Sequence, residues 1–177
     1  LLEAAITSEL PLLLDADALN LVVSEGNLQV ALASRGNPGI LTPHPAEAAR
    51  LLECGTAKVQ ADRIAAAQEI AERYHCHVAL KGSGTVIAAV DGRWWINSTG
   101  NPGMATAGMG DVLSGLIVAL LAQGWPGVPA LLAGVHLHGA AADRLVAQGV
   151  GPIGLTAGEA IDAARQLFNE WVAGMAG

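Results

Sequence analysis

The sequence predicts one α/β domain built on a mostly parallel sheet, and three observations support that class. The 177 residues are 52% hydrophobic and only 14% charged, which gives enough apolar surface for a single compact core. Short all-apolar runs end in polar residues, a pattern typical of strands buried on both faces. Helical patterns follow these runs, and such alternation favours a parallel sheet covered by helices. Because no low-complexity linker divides the chain, we expect one domain over residues 1–177.

Two strand, loop and helix units are predicted in the first third of the chain. The run "LPLLLDADALN" predicts a buried strand from Leu10 to Leu14 that ends in Asp15 and Asp17. The run "GILTPHPAEAARLL" predicts a strand at residues 40–41, followed by two prolines and a helix beginning near Ala46. In both units the polar residues follow the carboxyl end of the strand, where ligands bind in open α/β sheets.

The remaining elements are predicted from periodicity and turn residues. Apolar residues at helical spacing predict a helix over residues 58–74. The segment "HVALKGSGTVIAAVDGRWWI" predicts three short strands with turns at residues 82–84 and 91–92, so antiparallel pairing is expected there. Glycines and prolines then separate three predicted helices, over residues 111–123, about 129–148 and about 157–172.

Charge, cysteine content and hydropathy exclude several classes of function. A formal net charge of −7 leaves too little basic surface to neutralise a nucleic-acid backbone. Cys54 and Cys76 lack metal-ligand spacing and predict reduced thiols in a cytoplasmic protein. The most apolar run, residues 112–122, is about half as long as a membrane span requires. We therefore expect neither a nucleic-acid polymer nor a membrane as partner.

The stretch "NSTGNPGMATAGMGDVLSG" at residues 97–115 predicts an anion-binding loop at the start of a helix. Gly108, Gly110 and the small residues 105–107 let backbone amides approach an anion, and the helix dipole favours negative charge there. Asp111 is unexpected beside a bound phosphate, because the two negative charges repel. Two explanations fit it: it caps the helix, or it takes a proton from a hydroxyl that attacks a phosphoryl group.

Four ordered motifs give the chain a resemblance to a known family. Residues 108–111 match the G-x-G-D signature of the carbohydrate kinases in the ribokinase-like superfamily. With "DADALN", "TPHPAEAARLL" and "KGSGTVI", the stretch resembles the nicotinamide-nucleotide-hydrate dehydratases, the kinase-like half of the YjeF-type repair proteins. The resemblance covers essentially the whole chain. It implies a ribokinase-like three-layer α/β/α sandwich with a mostly parallel sheet.

The resemblance also has implications for the parent protein. A dehydratase of this family begins before "LLEAAITSEL", which itself resembles the end of a helix. We therefore expect a partial domain that lacks its first strands and a glycine-rich segment of the substrate pocket. An epimerase domain is expected before it in a bifunctional parent. The family further implies a homo-oligomer, a tetramer.

The activity implied by the resemblance is the repair of hydrated nicotinamide cofactors, NADHX and NADPHX. A nucleotide, ADP in bacterial members and ATP in eukaryotic ones, phosphorylates the hydroxyl at C6 of the damaged ring, with Mg²⁺ present. Phosphate then leaves and the dihydropyridine ring is restored. Because phosphate is a far better leaving group than hydroxide, a dehydratase gains from a kinase fold.

Site residues are carried over motif by motif. The resemblance makes Asp111 the base that deprotonates the hydroxyl, while Gly108 and Gly110 offer amides to the transferred phosphoryl group and Gly110 also borders the nucleotide. Substrate contacts are assigned to His44, Asn101 and Asp111. Asn101 also lines the loop and helps to hold it, as do Asn97 and Thr106.

The nucleotide and metal contacts come from two further motifs. The nucleotide-binding turn of the family is matched by Lys81, Gly82, Ser83, Gly84 and Thr85. Taken alone, these residues are equally well explained as a plain hairpin turn. Glu47 holds the acidic position that organises magnesium, usually through water, although "HPAE" is also explained as a proline-bounded helix start. Supporting roles near the site are expected for Asp15, Asp17 and Asn20.

Two alternatives to the dehydratase stay open at this point. One is a small-molecule kinase of the same superfamily that acts on a vitamin precursor such as hydroxyethylthiazole, pyridoxal or hydroxymethylpyrimidine. The other is a non-catalytic nucleotide-binding or assembly module. The combination of "TPHPAEAARLL" with "DADALN" favours the dehydratase.

Overall fold

A five-stranded sheet forms the centre of the part of the chain that the computed structural model describes, residues 1–175. The strands lie in chain order: β1 (Leu13–Leu14), β2 (Gly39–Leu41), β3 (Cys76–Leu80), β4 (Val86–Ala88) and β5 (Trp94–Ile96). The first three run parallel, with Leu13 opposite Ile40 and Ile40 opposite His77. β4 and β5 continue the sheet antiparallel, as the turn residues predicted.

Helices occupy most of the remaining described residues. Before the last three strands lie α1 (Leu2–Ile6), α2 (Asp17–Ser24), α3 (Gly26–Ala33), α4 (Pro45–Leu51), α5 (Thr56–Ala61) and α6 (Arg63–Tyr74). After β5 come a 3₁₀ helix (Pro102–Met104), then α7 (Met109–Ala122), α8 (Gly127–Ala147) and α9 (Ala157–Met175). Within residues 1–175, no helix combines the length and hydropathy that crossing a membrane requires.

The sheet is covered by helices on both faces because neighbouring strand residues point to opposite sides. Leu41, Val78 and Leu80 belong to a buried cluster shared with α1 through α6. Ile40 and Ala79 belong to a second cluster shared with α7 and α8. The helix α9 packs on α7 and α8 on the same face of the sheet, and its Phe168 packs against the second cluster. This arrangement confirms the predicted α/β class and its three layers.

Two predicted elements are wrong in their extent. The strand predicted over Leu10 to Leu14 is reduced to its last two residues. Pro11 has no N–H for a ladder, and the Leu10 carbonyl accepts a hydrogen bond from the Arg35 guanidinium at 2.7 Å. The helix predicted over residues 58–74 is divided at Asp62, whose carboxylate accepts from the Ala65 amide at 2.9 Å and caps α6.

His138, on α8, predicts a pH dependence of stability. Its side chain is buried, its Nε2 has no hydrogen-bond partner among the described residues, and burial lowers its pKa to about 4. The unfolded histidine titrates near 6.5. The native state therefore resists protonation, and stability present above pH 6.5 is lost as the pH falls toward 4.

We expect the contribution of His138 to lower the unfolding free energy by about 2 kcal/mol when the pH falls from 7 to 5. Urea unfolding of wild type and His138→Leu at both pH values isolates this contribution as the difference in pH dependence. His136→Leu is the matched control, because His136 is exposed two residues earlier on α8. Equal pH dependence in wild type and His138→Leu would contradict the expectation.

Candidate active site

The carboxyl ends of the parallel strands bring Asp15 and Lys81 together. Asp15 follows β1, Lys81 follows β3, and the Lys81 Nζ lies 2.7 Å from the Asp15 Oδ1. The other carboxylate oxygen of Asp15 accepts a hydrogen bond from the Ser114 hydroxyl at 3.0 Å. The two charged side chains are only 15% and 22% exposed. Asp15 thus connects β1, β3 and α7 at one edge of the sheet.

The first turn of α7 lies against this ion pair. A Cβ added to Gly110 would sit 3.6 Å from the Asp15 Oδ2 and 3.7 Å from the Lys81 Nζ. Gly108, the residue before the helix, has a φ of +85°, a conformation that favours glycine. The predicted glycine loop and the predicted lysine therefore meet, with the ammonium group beside the amino-terminal end of the helix dipole.

Asp111 is the third residue of α7 and is exposed. It does not cap the helix, because Gly108 holds the cap position and no side chain bonds there. Among residues 1–175, no group donates a hydrogen bond to its carboxylate or forms an ion pair with it. A free carboxylate one residue after Gly110 suits proton transfer, since an acceptor already occupied by the protein cannot take a proton readily.

The turn at residues 81–85 is a hairpin between β3 and β4, and its exposed backbone amides are also available to bind an anion. Arg63 donates to the carbonyls of Leu80 at 2.9 Å and Ser83 at 2.7 Å. Within the described chain, the amides of Gly82, Ser83 and Gly84 have no acceptor. Because Arg63 occupies carbonyl groups of the turn and not its amides, these N–H groups are free to bind an anion. The sequence motif did not identify Arg63, which lies at the start of α6.

His44 and Glu47 form a capping box at the start of α4. The His44 Nδ1 accepts from the amides of Ala46 at 3.1 Å and Glu47 at 3.3 Å, and the Glu47 Oε2 accepts from the His44 amide at 2.7 Å. Because Nδ1 is an acceptor, the proton of the neutral ring belongs on Nε2, which faces the Glu47 Oε1 at 3.4 Å. His44 and Glu47 therefore start the helix α4, as one of the two explanations of "HPAE" predicts. The His44 side chain remains 47% exposed.

Glu47 is the predicted metal contact, and its surroundings favour contact with the ion through water. Its carboxylate is 7% exposed, receives the His44 contacts, and lies 4.0 Å from the Lys81 Nζ. Among residues 1–175, no group of three or more metal-ligating side chains is present. Mg²⁺ commonly uses one or two carboxylates together with substrate phosphates and water. The residues fit a magnesium ion held mainly by a nucleotide, with Glu47 reached through water.

The other sequence-predicted residues are separated by the structure. Asp17 begins α2 and is exposed, and the side-chain Oδ1 of Asn20 accepts from the Arg50 guanidinium at 2.7 Å, which ties α2 to α4. Asn101 caps the 3₁₀ helix by accepting from the Gly103 amide at 3.0 Å, and its own amide donates to Asp143 at 3.0 Å. A substrate contact from Asn101 stays a prediction. Asp143, the partner of Asn101 on α8, lies outside every sequence motif.

Comparison with known proteins identifies the family to which the chain is similar. A family model described as NAD(P)H-hydrate dehydratase matches residues 1–165. The chain is 50% identical to an ADP-dependent (S)-NAD(P)H-hydrate dehydratase of Neisseria meningitidis, over 90% of this chain and 53% of that protein. It is 47% identical to a bifunctional NAD(P)H-hydrate repair enzyme of Moorella thermoacetica, over 87% of this chain and 28% of that protein.

A solved structure shares the fold. The ADP/ATP-dependent NAD(P)H-hydrate dehydratase of Bacillus subtilis, co-crystallised with ATP and Mg²⁺, superposes with a TM-score of 0.78 at 34% identity. The match covers 93% of this chain and 58% of that one. The chain thus spans about half the length of these dehydratases. The comparisons favour the dehydratase over the vitamin-precursor kinase and the non-catalytic module.

Proposed function

Because the chain belongs to the NAD(P)H-hydrate dehydratase family, we propose that it carries the centre for nucleotide-dependent dehydration of NADHX and NADPHX to NADH and NADPH. One observation supports this most strongly: the Lys81 ammonium lies against Gly110, the residue that precedes Asp111 in the first turn of α7. In the proposal Lys81 is the phosphate-binding cation and Asp111 is the base. Phosphorylation of a hydroxyl requires both.

In the proposed reaction, Asp111 takes the proton of the C6 hydroxyl as its oxygen attacks the terminal phosphoryl group of ADP. The bond between that phosphorus and the bridging oxygen breaks, and AMP leaves. The C6–O bond of the phosphorylated ring then breaks, phosphate departs with the electron pair, and the adjacent ring carbon loses a proton. The new double bond restores the dihydropyridine.

The protein's part in these steps is to position the groups and stabilise charge. The amides of Gly108, just before α7, and of Gly110, in its first turn, face the transferred phosphoryl group, where the helix dipole lowers the energy of negative charge. Lys81 contacts phosphate oxygens, and Asp15 holds its ammonium in place at 2.7 Å. The amides of the turn at residues 82–85 bind the remaining nucleotide phosphates.

Local charge supports a role for Mg²⁺. Asp15 and Glu47 place two carboxylates around one ammonium, and Asp111 adds a third carboxylate just after Gly110. An anionic nucleotide entering this acidic setting requires a counter-charge that the protein does not supply. A divalent cation bound to the phosphates would provide it, with Glu47 contacting the ion through water.

His44 has two proposed roles that substitution can separate, helix capping and contact with the hydrated nicotinamide. We expect His44→Ala to lower the unfolding free energy by about 1 kcal/mol, because the cap is lost. Asparagine is a good cap residue, so His44→Asn should retain stability while raising the KM for NADHX. Thermal unfolding and steady-state kinetics measure the two effects. A wild-type KM in His44→Asn would contradict the substrate contact.

The direct test of the proposed function is an assay for recovery of the reduced cofactor. The purified protein is incubated with hydrated NADH, Mg²⁺ and either ADP or ATP, and dihydronicotinamide absorbance is followed. We expect recovery that depends on nucleotide, with ADP the better donor. Nucleotide binding without recovery would favour a non-catalytic module, and phosphorylation of hydroxyethylthiazole or pyridoxal instead would favour a vitamin kinase.

We also propose that the protein is a cytoplasmic homo-oligomer, a tetramer, and that an epimerase domain accompanies it in a bifunctional protein. The Moorella relative, whose name describes it as bifunctional, supports the second proposal. Light scattering coupled to size-exclusion chromatography measures the oligomeric state, and a monomer would contradict the first.

A further inference from the structure

The loop that leads into α7 is fastened to α8 by one carboxylate. The Asp143 Oδ2 accepts from the Gly100 amide at 2.8 Å, and its Oδ1 accepts from the Asn101 side-chain amide at 3.0 Å. The side-chain Oδ1 of Asn101 in turn accepts from the Gly103 amide at 3.0 Å. Two hydrogen bonds therefore join α8 to the loop, and a third, within the loop, ties the Asn101 side chain to Gly103.

The same loop lies in close contact with the backbone of α8. The Thr99 hydroxyl donates to the His136 carbonyl at 3.1 Å. A Cβ added to Gly139 would lie 2.2 Å from the Thr99 Oγ1 and 2.7 Å from the Thr99 carbonyl carbon. Only a glycine at position 139 permits this approach. The loop is thus held by hydrogen bonds and by contact with a helix that contributes no residue to the proposed active site.

We infer that Asp143 is a positioning residue for the reaction proposed above. The segment between Gly103 and Gly108 is short, and residues 105–107 within it are exposed. The bonds to Asp143 fix the loop at Gly100 and Asn101, and this short segment connects that fixed point to the start of α7. By holding the loop, Asp143 positions the amides of Gly108 and Gly110 relative to Lys81. It also positions the carboxylate of Asp111. The inference rests on the proposed function, because it assigns Asp143 to that reaction.

The pattern of donors and acceptors makes the inference testable by exchange of the two side chains. Asp143→Asn places an amide donor opposite the amide of Asn101, and Asn101→Asp places a carboxylate opposite that of Asp143. Either change alone leaves one unfavourable contact. The double variant restores all three bonds with the roles reversed, since the new amide at position 143 can donate to the new carboxylate at position 101 and still accept from the Gly100 amide.

We expect each single variant to lower kcat about 10- to 100-fold, because a displaced reactive group is costly even when binding persists. The double variant should recover at least about tenfold in kcat over the more impaired single variant, as a paired contact predicts, whereas loss of the predicted substrate contact of Asn101 would raise KM. Arg144→Ala is the matched control, since Arg144 is the next residue on α8 and the change removes its 2.6 Å contact to Glu170 on α9 without touching the loop. Wild-type kcat in both single variants, or no recovery in the double variant, would overturn the inference.

Two further measurements separate positioning from general stability and from the proposed function itself. If the double variant recovers its melting temperature but not its kcat, Asp143 is structural and the inference fails. If wild type proves inactive, the proposed function fails. Amide hydrogen exchange at Gly100 and Gly103 then tests whether Asp143 and Asn101 hold the loop in place. Faster exchange in both single variants with recovery in the double variant supports it, and unchanged exchange overturns it.

Discussion

Asp111→Asn is expected to lower kcat about 10²- to 10⁴-fold, the range that removal of a general base produces. Asparagine has nearly the same shape but cannot accept the hydroxyl proton. Because Asp111 is exposed and has no hydrogen-bond partner within residues 1–175, the fold should be unaffected. Steady-state turnover of NADHX and thermal unfolding of the same preparation measure the two quantities.

A matched control guards against a general effect of removing an acidic charge. Asp162 is an exposed carboxylate on α9, and its side chain is 71% exposed. Asp162→Asn should leave turnover unchanged. Turnover by Asp111→Asn at the wild-type rate would remove Asp111 from the role of base, and the free carboxylate would then have only its favourable place in the first turn of α7.

Lys81→Met is expected to weaken nucleotide binding about 10- to 100-fold. Hydrogen bonds to charged groups contribute about 1.5–3 kcal/mol, and each 1.4 kcal/mol changes affinity tenfold. Methionine keeps the length of the side chain but loses the ammonium group that lies between Asp15 and Glu47. Those two carboxylates would then repel the phosphates without a cation to offset them. Isothermal titration with ADP and Mg²⁺ measures the affinity.

Lys58 provides the control, because it is exposed on α5 and forms no ion pair with another described residue. Lys58→Met should bind ADP as wild type does. If Lys81→Met binds ADP normally, Lys81 does not contact the phosphates, and the ion pair with Asp15 serves only to join β1 to β3.

The sequence predicted what depends on local pattern. The carboxyl ends of β1 and β3 were recognisable because an apolar run gives way to a polar residue, and the positions of Asp15 and Lys81 follow from that pattern. The glycine loop and the start of α7 were recognisable for a similar reason. Family motifs then supplied the roles. The positions of these groups in one cluster follow from the parallel order of the strands.

Contacts between distant elements could not be predicted in the same way. Arg63 reaches the hairpin turn from α6, Ser114 reaches Asp15 from the second turn of α7, and Asp143 reaches the loop from α8. Arg63 and Asp143 lie outside the four motifs, and Ser114 lies within the last of them without a predicted role for its side chain. Asn101 shows the converse case, because its motif suggested a substrate contact while its side-chain groups are occupied by Gly103 and Asp143.

The central claim, that water is removed by way of a phosphorylated hydroxyl, is tested most directly by isotope transfer. Hydrated NADH carrying ¹⁸O in its C6 hydroxyl is turned over with unlabelled ADP and Mg²⁺, and the inorganic phosphate is examined by mass spectrometry. Cleavage of the C6–O bond after phosphorylation delivers one labelled oxygen to each phosphate, with one AMP formed per NADH. Label recovered in water, with unlabelled phosphate, would contradict the account.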